Sequence, residues 1–536
     1  MLSDWIYRVA LISLIGAVAQ LVERFHGMEE ARGSIPLSST NVVRNLSDMN
    51  KSQLFKAKLD FEFVKIFLAV LLLIIVWSTM LPLFAGPDEH SNFIKSAAVI
   101  RGELVGKNVP ASPEMFYWTT SVDIDPRFST ALAGPACFIF VSEKPACDVP
   151  VGSIAIVSDP PWTQMGRYPP IVFLVSGVGT LFGPRDLSAF ASRYVVGLLC
   201  ALFVAVSIHG LRRRARTVVG VLIAITPGVI FVSAVNNTSG AEICSAVLLW
   251  TLLPDLLAGE KMSRLEQIVI GTAGVFLIGA RPLGFVSYLL VLTLIVCASW
   301  TQKINVRSLL ERRWLISTQL VAMVFSIWWF VRIYSFQTSP SYVGDIPGMP
   351  RGELLIEILS HLPDVIKQSY GNFGWLDTPT PTPALYLVAA MAVTVFVLQW
   401  RKVSQGTRFI ALLIIASAIA FGILVDIQMY SFWRGFGLQG RHIVPLLVGV
   451  PIVLFARVDW RTKREYWVAS VWTILMIWCG AAALRRYSVG IKPGNHFELL
   501  TNPVWTPKIG ILPSLVMLAV AASAVALVCV QRRQKT

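Results

Sequence analysis

Apolar runs set the terms for this chain. About a dozen of them, scattered from near residue 63 to near residue 530, approach or exceed the roughly 18 residues that mark a membrane-spanning helix. Only 14% of residues are charged, where a soluble domain carries about a quarter. The expected fold is an all-α polytopic membrane protein with about twelve transmembrane helices. The runs lie near 63–84, 188–210, 217–235, 240–258, 266–280, 284–300, 314–334, 384–400, 408–428, 442–457, 467–484 and 510–530.

Charge orients them. The formal net charge of +15 does not call for nucleic acid, because Lys and Arg gather in short segments between the runs, as cytoplasmic loops do. "RRRAR" at 212–216, "TQKINVRSLLERR", "RKVSQGTR", "RVDWRTKRE" and the terminal "QRRQKT" all fall inside, with both termini cytoplasmic. The inner face then carries basic loops and little else. External loops fall at about 85–187, 335–383 and 485–509. Within the first, "RYPPIVFLVSGVGTLFGPRD" at 167–186 has an apolar core too short to span and reads as a re-entrant or interfacial helix. No P-loop or zinc-ligand spacing appears, and no internal repeat is strong enough to argue transporter symmetry.

The first residues do not fit this pattern. "GAVAQLVERFHGMEEARGSIPLSST" at 16–40 reads as a translated transfer RNA gene, with D-arm and T-arm consensus in order. Residues 1–48 are therefore expected to be non-native, with the start at Met49 and 49–536 forming a single integral membrane domain. The alternative is a genuine amphipathic N-terminal segment.

Cys200, Cys244, Cys297, Cys479 and Cys529 lie in apolar runs and read as small buried side chains. Cys137 and Cys147 share a polar loop; a disulfide is plausible if that loop meets an oxidising compartment, though spacing does not settle pairing.

Unusual ionisable groups sit at the outer ends of the runs. Asp88, Glu89 and His90 follow the first run in "AGPDEHSNF". Arg167 and Tyr168 precede the short helix. Arg193, Glu242, Arg281, Asp426, Arg434, Arg441 and His442 lie at similar depth. Such residues are functional candidates by default. Plainer roles compete: Asp88 and Glu89 as acids at a helix start, and Arg193, Arg281 and Arg441 as snorkelling or ion-pairing side chains. Phe116, Tyr117, Trp118 and Trp162 could line a sugar site or belong to the interfacial aromatic belt.

"AGPDEHSNFIKSAAVIRGEL", "RYPPIVFLVSG", "ASRYVVGLLCAL" and "GRHIVPLL", in that order over about 70–450, resemble a bacterial family of predicted membrane proteins, domain-of-unknown-function family 2142. That family is similar to the GT-C superfamily of polyprenyl-phosphate-sugar-dependent glycosyltransferases. His442 stands where Tyr is usual, and Arg281 where Lys is expected. The resemblance implies a GT-C-like fold in a bacterial plasma membrane. It implies transfer of a sugar from a polyprenyl-phosphate donor to a cell-envelope acceptor on the outer face. Asp88 is then the base, supported by Glu89. Arg441, Arg281 and Arg193 would hold the donor phosphate. His90, Arg167, Tyr168 and Trp162 are candidate sugar or acceptor contacts. No metal is expected; if a divalent cation, Mg2+ or Mn2+, takes part, Asp88, Glu89 and Glu242 are its oxygen ligands. Two other classes compete: a transporter or flippase of lipid-linked saccharide, and a non-catalytic envelope-assembly protein.

Overall fold

The computed structural model describes residues 51–109, 118–153, 160–299, 304–335, 348–433, 437–456, 462–491 and 498–530. Residues 1–48, with the question of their origin, lie outside these, as do Phe116, Tyr117 and Arg434. The chain divides into Met1–Phe61, helical over 51–61, and Glu62–Thr536, which carries everything below.

Helices were expected and helices dominate. Leaving aside Val306–Glu311, Glu498–Thr501 and the 3-10 and π turns, they are α1 (Phe61–Thr79), α2 (Glu89–Ile100), α3 (Ile171–Gly177), α4 (Asp186–Arg213), α5 (Val219–Ala224), α6 (Pro227–Ala234), α7 (Thr238–Leu257), α8 (Arg264–Gly279) and α9 (Gly284–Ser299). There follow α10 (Arg313–Trp329), α11 (Arg351–Tyr370), α12 (Thr382–Trp400), α13 (Gln405–Trp433), α14 (Gly440–Leu447), α15 (Gly449–Phe455), α16 (Thr462–Ser488) and α17 (Ile511–Val530). Two small sheets complete it: an antiparallel trio of Lys107–Asn108, Thr120–Ser121 and Trp162–Thr163, and the pair Asn372–Phe373 and Thr378–Pro379.

Among the described residues, eight helices are long and apolar enough to cross a membrane: α1, α4, α7, α10, α12, α13, α16 and α17. The chain is a multi-pass membrane protein. The other four expected spans are helical but shorter or broken. The run near 217–235 splits into α5 and α6, where Ile225 leaves helical geometry (ψ 72°) ahead of Thr226, whose side chain caps α6 at Val229 N, and Pro227. Proline at the first helical position starts a helix and cannot continue one. α8 and α9 have 16 residues each, about 24 Å against a hydrocarbon core of about 30 Å, because the Arg281–Gly284 turn cuts them. The run near 442–457 is α14 and α15, which carry Pro445 and Pro451. The short helix expected at 167–186 is α3 continued by a 3-10 turn, Val178–Phe182.

α4 links the two ends of the bundle. Near its start lies Arg193, beside GPDEH. At its far end RRRAR meets acids rather than standing as bare positive charge. Arg214 pairs with Asp255 (3.0 Å) and Glu266 (2.9 Å), and Arg216 with Asp255 (2.7 Å) and Glu260 (3.0 Å). This corrects the expectation of basic loops and little else: the far ends of α4 and α7 and the start of α8 are clamped by ion pairs. The Ser263–Glu266 capping box opens α8 within the same cluster.

Cys200, Cys244, Cys479 and Cys529 are buried as expected, whereas Cys297 is exposed because it falls on the outward side of α9. The Cys137–Cys147 disulfide is formed, with Cα atoms 6.3 Å apart. The loop it closes is also held by Arg486, fully buried. Arg486 donates to the carbonyls of Phe138 (2.8 Å), Val141 (3.1 Å) and Lys144 (2.6 Å) and pairs with Asp377 (2.7 Å).

Candidate active site at the GPDEH loop

The loop between α1 and α2 is tied down residue by residue. Trp375 Nε1 donates to Phe84 O (3.0 Å), Tyr487 Oη to Ala85 O (2.7 Å) and Asn237 Nδ2 to Pro87 O (2.8 Å). Gly86 has no side chain because a Cβ there would meet Val235 at 2.7 Å. Phe84 (φ 63°) and Asp88 (φ 60°) both hold left-handed backbone. Such conformations cost of order 1–3 kcal/mol and persist where surroundings over-determine them.

Glu89 is consumed by that scaffold. It is 2% exposed. Its Oε1 accepts from Arg193 Nε (2.5 Å) and Asn236 N (3.1 Å), and its Oε2 from Arg193 Nη2 (2.9 Å) and Gly86 N (3.0 Å). Arg193, with no exposed surface, spends its remaining donors on Ser78 O (2.9 Å), Leu81 O (3.3 Å) and Pro82 O (2.6 Å). All five guanidinium donors are therefore satisfied. Those carbonyls lie at and beyond the C-terminal end of α1, which a buried cation satisfies well. Arg193, expected among the phosphate-binding arginines, has no donor left for a ligand. Glu89 has no oxygen turned outward.

Asp88 behaves differently. It occupies the N-cap position of α2 but makes no side-chain cap bond, so the plain capping expectation does not describe it. Its side chain, 30% exposed, meets Arg441 Nη2 at 2.8 Å. Its other oxygen has no hydrogen bond among the described residues. Arg441, at the first turn of α14, has a side chain 10% exposed. Its Nε and Nη1 are buried and unpartnered among the described residues. A buried donor left unsatisfied is costly, so two on one guanidinium mark an incomplete site. Arg441 lines a cavity with Pro87, Gln368, Ser369, Asn372 and Leu376. The Asn372 Oδ1 in that wall also lacks a partner among the described residues.

The approach to α14 is built for this placement. Asp426 Oδ1 accepts from Gly437 N (3.1 Å) and Leu438 N (2.8 Å), Gln368 Oε1 from Gly440 N (3.2 Å), and His442 Nδ1 from Gln439 N (3.3 Å). Asp426 and His442 thus serve backbone geometry.

Arg281 stands nearby, bonded through Nε to Glu242 (2.7 Å) and through Nη2 to Ser239 Oγ. The Tyr168 phenol lies within electrostatic reach of Arg281, Asp88, Arg441 and Glu242, and burial pushes its pKa up. Asp88, Arg441, Arg281, Glu242 and Tyr168 form one cluster. Each expected metal-binding carboxylate faces its own arginine: Asp88 with Arg441, Glu89 with Arg193, Glu242 with Arg281. Among the described residues no group of three or more His, Cys, Asp or Glu gathers to hold a metal ion. Those three carboxylates do not fit a shared cation.

The other candidates lie outside the cluster. His90 packs on Trp375 (ring centroids 5.3 Å apart) with Nε2 at 3.2 Å from Ser91 Oγ. Burial lowers its pKa to about 4, against the opposing pull of Asp88 and Glu89. Arg167 donates to Ile333 O (2.9 Å) and Asn108 Oδ1, its carbonyl accepts from Trp329 Nε1 (2.9 Å), and its Nε is buried and unpartnered among the described residues. Trp162 pairs with Ser121 in the small sheet. Neighbouring Thr163 Oγ1 donates to Ser91 O (2.7 Å), which seats that sheet on α2.

Sequence reasoning missed Asn236, Asn237, Gln368 and Lys95. The asparagines had a signal, two polar amides side by side between apolar runs. Lys95 had none: it is fully buried in α2, bonded to Leu104 O and Gly166 O, and burial lowers its pKa to about 7.

These features define a polytopic helical membrane protein with a buried ion-paired acidic loop at one end of its bundle and an open carboxylate–arginine pair beside it. The family model for predicted membrane proteins DUF2142 matches residues 71–450, and the chain belongs to that family. No curated protein matches it. Among solved structures, ArnT from Cupriavidus metallidurans in the apo state is similar at 16% identity, over 87% of this chain and 76% of that one, with a TM-score of 0.38. A likeness of that extent carries no weight for activity.

Proposed function

We propose that this protein is a GT-C-type membrane glycosyltransferase that moves a sugar from a polyprenyl-phosphate donor to a cell-envelope acceptor on the outer face of a bacterial plasma membrane. One observation carries the reading: Arg441 holds half-open Asp88 through one nitrogen while two buried donors stand unpartnered at a cavity wall. A phosphate supplies the acceptors those donors lack, and a guanidinium fork suits it.

The chemistry follows from this arrangement. The free Asp88 oxygen takes the proton of the acceptor hydroxyl. The acceptor oxygen bonds to the anomeric carbon as the bond from that carbon to the phosphate oxygen breaks. The polyprenyl phosphate leaves with the electron pair, its charge met by Arg441 and Arg281. Tyr168 reaches the same cluster and is a candidate contact for donor or sugar. Because Glu89 is locked to Arg193 and buried Glu242 to Arg281, one carboxylate acts, and the expected course is direct displacement with inversion.

Binding tests the reading separately from chemistry. Full-length protein in nanodiscs, titrated with a polyprenyl phosphate and followed by native mass spectrometry, is expected to bind one lipid, and Arg441→Gln to weaken it by about tenfold or more. Equal binding by Arg441→Gln removes the proposed cradle. Movement of lipid-linked saccharide across vesicles without bond formation favours the transporter.

A further inference from the structure

α11 has three faces. Leu354, Ile358, Leu362 and Val365 fall on one arc, and Ile358 and Val365 are buried. Glu353, Glu357, Ser360, Asp364 and Lys367 fall on a second. Between them, Leu355, Ile356, Leu359, Pro363 and Ile366 share an arc of about 100° at the helical repeat, and all five are exposed, the four larger aliphatics at 44–68%. α11 is not among the helices apolar enough to cross a membrane. It packs on α6, α13 and α14.

Its ends are fixed at the GPDEH end of the bundle. Met349 N, just before it, donates to Tyr430 Oη (2.8 Å) near the end of α13, and Gln368 accepts from Gly440 N at the start of α14. The start of α11 is therefore held at the end of α13, a membrane-spanning helix whose Leu424 and Ile427 are 63% and 41% exposed. That continuity selects the occupant. A strip that extends a span's lipid-facing surface, bordered along its length by carboxylates and a lysine, matches the boundary between acyl chains and headgroups.

We propose that α11 is an interfacial helix seated in the leaflet at the GPDEH end, and that its last residues thereby hold the Arg441 cavity at headgroup depth. Leu355, Ile356, Leu359, Pro363 and Ile366 lie against the acyl region. Glu353, Asp364 and Lys367 face water. Gln368 and Ser369 form cavity wall, and a Cβ on Gly440 would lie 2.2 Å from Ser369 N, so helix and cavity move together. This inference needs only a membrane protein and is independent of sugar transfer.

The test uses full-length protein, one copy per nanodisc, in phosphatidylethanolamine and phosphatidylglycerol, with exposed Cys297 replaced by Ser. Single cysteines are placed by Leu355→Cys, Leu359→Cys and Ile366→Cys on the strip, and by Glu353→Cys and Asp364→Cys on the polar face. Each is reacted with a membrane-impermeant maleimide. Strip positions are expected to react at least about tenfold more slowly than polar-face positions, since a membrane-impermeant reagent reaches thiols at water and not thiols set against acyl chains. The difference should vanish in denaturing detergent. Equal rates on both faces overturn the proposal.

Discussion

At the residue scale, two adjacent acids with the same chemistry have been given different work by their surroundings. Glu89 is a structural anion: two backbone N–H groups and a bidentate arginine take its oxygens. Removing the charge leaves Arg193 buried without its partner, and breaking a buried pair costs about 3–5 kcal/mol. Glu89→Gln should therefore lower the thermal unfolding temperature in detergent sharply, whereas Asp88→Asn should leave it nearly unchanged. Similar losses in both variants would contradict this division. His90 adds a pH dependence. Its pKa falls from 6.5 to about 4 on folding through burial, so the unfolded chain binds the extra proton between those values. Stability from this group is then fully present above about pH 6.5 and is lost as pH falls toward 4. His90→Gln should flatten the unfolding temperature across that window; an unchanged slope would place the effect elsewhere. "PDEH" disclosed in advance that acids sit where the first span ends. It did not disclose which acid faces inward, because that depends on Arg193 and Asn236, 104 and 147 residues away.

At the element scale, long helices were legible and short ones were not. Runs such as those of α4 and α17 are apolar all round and long enough that hydropathy alone places them. α5, α6, α14 and α15 read as two full spans because hydropathy does not register proline breaks such as Ile225–Pro227. α11 was passed over as loop, since its mean hydropathy is low and its signal lies in periodicity. The meeting of α11 and α14 makes a specific prediction. A side chain at Gly440 would drive Ser369 N away, so Gly440→Val should cost about 1–3 kcal/mol as overpacking does. It should also weaken polyprenyl-phosphate binding, because the cavity wall shifts from Arg441. Wild-type binding in a folded Gly440→Val protein would show that α11 does not set the wall.

At the scale of the whole molecule, charge divides the bundle. At one end the four arginines of RRRAR pair with Glu62, Asp255, Glu260 and Glu266, which makes a clamp. At the other, Arg193 and Arg486 are fully spent on carbonyls and carboxylates while Arg441 keeps open donors. The gathering of Lys and Arg between the apolar runs was legible because it depends on composition alone. Partner choice was not, since it depends on which side chains the packing brings within about 3 Å. The central claim is that Asp88, oriented by Arg441 and released from structural duty by Glu89, takes the proton in sugar transfer. The most direct measurement is the rate of radiolabel transfer from polyprenyl-phosphate sugars to cell-envelope glycan by purified wild-type and Asp88→Asn protein of equal unfolding temperature. The account predicts transfer by the wild type and a loss of about 100-fold or more in the variant; full activity in folded Asp88→Asn would contradict it.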